Sequence, residues 1–121
     1  MYSANWDEKT KLLHLTYSGP VDTRQTKACV AELEALLPKL TAGFRLLSDL
    51  TSLDAMDWDC VADVRRMMDL CNQKQVSLVV RVIPDPHKDI GLNILSLFHY
   101  DRKVRLVTCQ TLDEALKVLA A

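Results

Sequence analysis

The run Val76 to Ile83 (Val-Ser-Leu-Val-Val-Arg-Val-Ile) constrains the chain more than any other segment. It is rich in β-branched residues, nearly unbroken in apolar character, and closed by Pro84-Asp85-Pro86. A half-solvated strand alternates apolar with polar residues; a run like this one suits a strand covered on both faces. Such a strand sits inside a parallel or mixed sheet with helices packed on it. The remaining sequence has to supply those helices and the neighbouring strands.

It does so in order. Tyr2 to Trp6 and Leu12 to Tyr17 are predicted strands, joined by the polar turn Asp7-Glu8-Lys9-Thr10. In the second of these, Leu13, Leu15 and Tyr17 alternate with His14 and Thr16. Gly19-Pro20 is expected to stop it. Asp22 reads as a helix N-cap with Gln25 as its capping-box partner, and Cys29, Leu33, Leu36, Leu37 and Leu40 follow helical spacing up to Pro38 and Gly43. A strand is expected over Phe44 to Leu50, ending at Asp49 and Thr51-Ser52. A helix follows from about Asp57, with Val61, Val64, Met67, Met68 and Cys71 on one face. After the strong strand, Ile90, Ile94, Leu97 and Phe98 share a helical face, and Leu92 and Leu95 widen it. A short strand is predicted over Val104 to Thr108. Thr111 caps a last helix, with Glu114 at the capping-box position and Leu112, Ala115, Leu116 and Leu119 facing inward. The fold class is therefore α/β: an opening antiparallel hairpin, then alternating helices and strands with parallel, right-handed crossovers, giving one mixed sheet with helices packed against it. The order of the strands in that sheet does not follow from the pattern.

Length and composition fit one domain spanning 1–121: hydrophobic residues are 49% and charged residues 26% of 121. With 15 Lys+Arg against 16 Asp+Glu, the basic surplus that phosphate contacts need is missing, so nucleic acid is not an expected partner. No apolar stretch approaches a membrane span and the first residues lack the apolar core of a secretion signal, so a cytoplasmic location is expected. Cys29, Cys60, Cys71 and Cys109 form no C-x-x-C pair, and His14, His87 and His99 are scattered; reduced core thiols and no metal are expected. None of the nucleophile-elbow, zincin, phosphate-loop or dinucleotide motifs is present, so neither catalytic residues nor a cofactor are expected and the chain is not read as an enzyme.

Several local motifs, in order along nearly the whole chain, resemble the STAS domain, named for sulfate transporters and anti-sigma factor antagonists. They are the Gly-led turn Ser18-Gly19-Pro20-Val21-Asp22, the strand end and loop from Leu47 through Asp49-Leu50 to Met56-Asp57, the strand Val76 to Ile83, and Glu114-Ala115-Leu116 in the last helix. The resemblance implies a STAS-like mixed sheet and a bacterial, non-enzymatic regulatory module whose protein partner is a kinase or an anti-sigma-like regulator. In the sigma-regulating members the helix start after Met-Asp reads Ser-Ser-Gly, and the second Ser is phosphorylated by a kinase that is also the partner. Here Trp58, Asp59 and Cys60 occupy those places. Asp59 cannot accept phosphate, and it carries one negative charge where phosphoserine carries about −1.5 to −2.

The candidate partner-binding residues are accordingly Asp54, Met56, Asp57, Trp58, Asp59 and Asp63. Each has a plainer reading beside it. Asp57 suits an N-cap, and Asp59 suits a first helical turn through the helix dipole. Trp58 reads by default as a lid on the core, with an exposed interface anchor as the alternative. Asp49, Asp54, Asp57, Asp59 and Asp63 could converge on Mg²⁺, but acidic strand-end loops are often only solvated. A second surface, Ile90, Ile94, Leu97 and Phe98, has more apolar positions than one sheet face needs. It suits a homodimer contact or one wall of a pocket against the sheet. Small-ligand or lipid binding and a structural homodimer therefore stand as alternatives to the regulatory module.

Overall fold

A computed structural model describes residues 1–84, 100 and 103–120. Its centre is a five-stranded mixed sheet in the order β1-β2-β3-β4-β5. The strands are β1 (Tyr2–Asp7), β2 (Leu12–Val21), β3 (Arg45–Met56), β4 (Leu78–Val82) and β5 (Arg105–Cys109). β1 and β2 pair antiparallel, and every other pair is parallel. The expected hairpin closes over the expected turn, where Asp7 Oδ1 accepts the Lys9 amide at 2.9 Å.

Three helices are described: α1 (Thr23–Leu36), α2 (Val61–Gln73) and α3 (Leu112–Ala120). The sheet's pleat sends neighbouring residues to opposite faces, and the two faces have separate cores. Leu46 and Val79 join Leu13, Leu15 and Tyr17 under α1 and α2, with Cys29, Leu33, Val64, Met67 and Cys71. Leu47, Val80 and Val82 join Cys109 under α3, with Ala115 and Leu119. β4 is thus covered on both faces, as its composition required. Leu112 is partly buried at that second core, whereas Leu116 is 48% exposed, so the expected inward face of α3 is narrower than the sequence suggested.

Two strand ends lie beyond their expected limits. β2 does not stop at Gly19-Pro20. Gly19 takes φ +66°, which a glycine adopts without the Cβ penalty, and the pairing with β3 slips between Thr16 and Ser18 and again between Gly19 and Pro20. Proline is tolerated there because β1 does not extend past Ser18, so β2 has lost its neighbour on that side. β3 likewise runs through Asp49 and Thr51-Ser52 to Met56. The Asp49 carboxylate accepts hydrogen bonds from both the Thr51 amide and the Thr51 hydroxyl. Leu53 and Met56 return to the core, and Ser52 to Met56 pair with Ser18 to Val21. Local turn signals were overridden by a partner strand. The helix expected over Ile90, Ile94, Leu97 and Phe98, and with it His87 and His99, lies outside the described residues.

Candidate functional site

The candidate residues gather where β3 leaves the sheet and α2 begins. Asp57 is extended (φ −64°, ψ 143°) and a single 3₁₀ turn, Trp58–Cys60, leads into α2. This entry is tied to the end of β2 by one acceptor. The Val21 carbonyl takes the Asp57 amide at 3.2 Å and faces the Cys60 Sγ at 3.9 Å. Cys60 is fully buried, and burial pushes its thiol pKa up. It anchors the turn from below.

With the turn pinned, the side chains divide. Trp58 is 70% exposed, and Asp54, Asp57 and Asp59 are exposed around it in sequence. Core packing of Trp58, the default expectation, is therefore corrected: Cys60 and Met56 are the residues of this loop that are buried, and the indole is left outside. Asp57 stands at the N-cap of the 3₁₀ turn, its carbonyl accepting the Cys60 amide at 2.9 Å, but its side chain makes no capping bond, and α2 itself starts only at Val61. Met56 is buried, only 7% exposed, and supports the loop instead of presenting itself.

Asp63 has a different job. It lies in the first turn of α2, where a carboxylate complements the helix dipole. Its Oδ2 accepts the Thr26 hydroxyl at 2.8 Å and lies 3.8 Å from Lys27 Nζ. Thr26 is wholly buried in α1. The pair thus clamps α1 to the start of α2, a role the sequence did not reveal because residues 37 positions apart carry it. Thr26→Val keeps the shape and removes the donor. We expect it to destabilise the fold by about 1–2 kcal/mol, since a hydrogen bond to a charged group is lost while Asp63 keeps some water and Lys27. Urea denaturation checks this, and Thr26→Ser should restore most of the loss.

Among the described residues, Asp54, Asp57 and Asp59 enter no ion pair. Nor do any three His, Cys, Asp or Glu side chains gather where they could hold a metal ion. No described helix is long and apolar enough to cross a membrane. All four cysteines are buried, free thiols.

A feature the sequence reading passed over lies under α2. Arg81, in the middle of β4, is only 4% exposed and donates to the Thr108 hydroxyl at 2.7 Å. It borders a cavity of about 50 Å³ whose walls include Tyr17, Met67, Met68, Cys71 and Tyr100. A charge inside a strand covered on both faces was the available signal.

No protein-family model matches the sequence, and no curated protein matches it. Solved structures do match. An uncharacterized protein of the DUF3478 family with a SpoIIAA-like fold, from Shewanella loihica, superposes with a TM-score of 0.72 at 16% identity, covering 98% of this chain and 93% of that one. An anti-sigma factor antagonist from Mycobacterium paratuberculosis gives 0.63 at 16% identity, covering 100% and 96%. The phosphorylated form of SpoIIAA, a Bacillus cell fate determinant, gives 0.66 at 15%, covering 98% and 99%. The mixed five-stranded sheet with its helices is thus the SpoIIAA-like fold, the one the resemblance to the STAS domain implied.

Proposed function

We propose that the chain is a non-enzymatic regulatory module that binds a protein partner through the entry to α2. The exposure of Trp58 carries this reading. A monomer gains nothing by leaving an indole in water, whereas interfaces use Trp as an anchor. Asp54, Asp57 and Asp59 surround it in sequence, so the partner has an apolar pocket for the indole and cationic groups around its rim. The likeness in fold to two anti-sigma factor antagonists supports a regulator of that kind. One of them, SpoIIAA, is known in phosphorylated and unphosphorylated forms. In this chain Asp59 takes the phospho-acceptor place and holds a constant negative charge, so binding is not switched by a kinase. Asp63 and Met56 support the surface from beneath.

The test is capture of partners from a lysate of the source organism, followed by titration of the purified partner. Trp58→Ala should weaken binding about 30-fold or more, the loss of roughly 2 kcal/mol typical of a central aromatic anchor. Its far-UV spectrum and melting should be unchanged, since the side chain is outside the core. Asp59→Ser should weaken binding and Asp59→Lys abolish it. A partner bound equally well by all three variants would sink the proposal.

The cavity beside Arg81 favours a second reading, binding of a small ligand. Its 50 Å³ is about a third of the roughly 150 Å³ that accommodates benzene, so an occupant would have only a few heavy atoms. Native mass spectrometry of the purified protein would reveal a co-purified mass under this reading and the bare chain under the first.

A further inference from the structure

We infer that the chain pairs with a second copy of itself through the free edge of β1, joining two five-stranded sheets into one. β1 is an end strand of the sheet. Edge strands are normally blunted by lysine, proline or a bulge. Tyr-Ser-Ala-Asn-Trp-Asp has no basic residue and no proline, and its pairing with β2 runs in unbroken register from Tyr2 to Asp7.

The hydrogen-bonding phase of this edge is fixed. Met1 and Ser18 exchange both of their bonds, each at 2.8 Å. In an antiparallel pair such exchanges recur at every second residue. Met1, Ser3, Asn5 and Asp7 therefore turn their main-chain groups toward β2, and Tyr2, Ala4 and Trp6 turn theirs outward. Among the described residues, these outward groups have no other main-chain partner.

A two-fold axis at Ala4 satisfies all of them. Ala4 then faces Ala4 of the other copy, and Tyr2 of each copy faces Trp6 of the other. All three are hydrogen-bonded pairs, so six main-chain bonds form across the join. Axes at Ser3 or Asn5 would leave one outward residue of each copy unmatched. Shifts by a single residue would set the two pleats out of phase. The side chains agree with this register. Tyr2, Ala4 and Trp6 lie on the half-buried core face, so two aromatic pairs flank a small residue at the axis. Ser3 and Asn5, on the exposed face, meet as two polar pairs. Ala28 of α1 is exposed and short enough to let the two α1 helices draw near.

The experiment is light scattering over a concentration series with three forms of the full chain. Wild type should approach twice the chain mass. Ser3→Lys with Asn5→Lys sets like charges opposite each other across the join and should give a folded monomer, verified by circular dichroism. Ser3→Lys with Asn5→Glu sets opposite charges together and should restore the dimer. Hydrogen exchange at the Tyr2, Ala4 and Trp6 amides should be slow in wild type and at least tenfold faster in the double-lysine form. A wild type that stays monomeric at every concentration, or a folded double-lysine variant that stays dimeric, overturns the inference. So does a monomer whose β1 edge is protected only by an extended segment of another protein. The variants lie away from Trp58, so this result is independent of partner binding at α2.

Discussion

Phe44→Ala should lower the unfolding free energy by about 3–5 kcal/mol, the range for truncating a large core aromatic. Phe44 is fully buried, and its ring meets Trp6 edge-on at 6.2 Å and 79°. The upper part of the range is expected because the site cannot collapse. The Phe44 carbonyl accepts both the amide and the hydroxyl of Ser77, at 2.8 and 3.2 Å. The next amide, that of Arg45, donates to Lys11 at 2.9 Å. The backbone is pinned from both sides, by the residues just before β2 and β4, while the side chain is removed, and the edge-to-face contact, worth about 0.5–1.5 kcal/mol, goes with it. Against a total of about 5–15 kcal/mol, the variant would be close to unfolding. Urea denaturation should show the midpoint falling with the slope unchanged. Phe44→Leu, which refills much of the volume, should lose about a third as much. A loss under about 1 kcal/mol for Phe44→Ala would contradict the packing.

The second large effect is alkaline unfolding. Burial, reinforced by the neighbouring Cys29 thiol, pushes Cys71 from the ordinary value near 9 up to about 12. Burial likewise raises the Tyr17 hydroxyl well above 10, with Cys29 adding to it. The Tyr17 hydroxyl lies 3.8 Å from Cys29 Sγ and 3.4 Å from Met67 Sδ, weak sulfur partners that do little for an anion there. Both groups bind their protons more tightly folded than unfolded. Their contribution is therefore intact below pH 9 and is lost as pH rises from the unfolded values through the folded ones. For Cys71, each pH unit in that interval removes about 1.4 kcal/mol, on the order of 4 kcal/mol by pH 12. Denaturation midpoints should hold to about pH 8.5 and fall steeply beyond. Cys71→Ala should start lower yet fall less steeply. A wild-type midpoint level between pH 8 and 11 would refute the prediction.

The parts of this protein that could be read in the sequence are those whose physics is local. The cap of α3 is one: the Thr111 hydroxyl accepts the Glu114 amide at 3.2 Å, and Glu114 reaches back to the Gln110 amide at 3.4 Å. Asp22 caps α1 in the same way, accepting the Gln25 amide at 3.1 Å, although Gln25 donates to the Pro20 carbonyl and not back to Asp22. Gly19-Pro20 and Asp49 through Ser52 were misleading because turn residues announce only a local preference. A neighbouring strand that offers hydrogen bonds outweighs it. At the candidate site, the residue types and their place along the chain were visible. Which of them face water was not.

From its order of apolar and polar residues alone, the chain determined an α/β mixed sheet, its opening hairpin, and a buried β4. Periodicity and capping are properties of neighbours in sequence. Tertiary structure alone decided the strand order and the extension of β2 and β3. It also decided the burial of Thr26 against Asp63 and the exposure of Trp58. Each of these depends on groups far apart in the chain competing for the same hydrogen bonds and the same space. The Val21 carbonyl holds the turn, Cys60 and Met56 are turned into the core, and the indole of Trp58 is left in water.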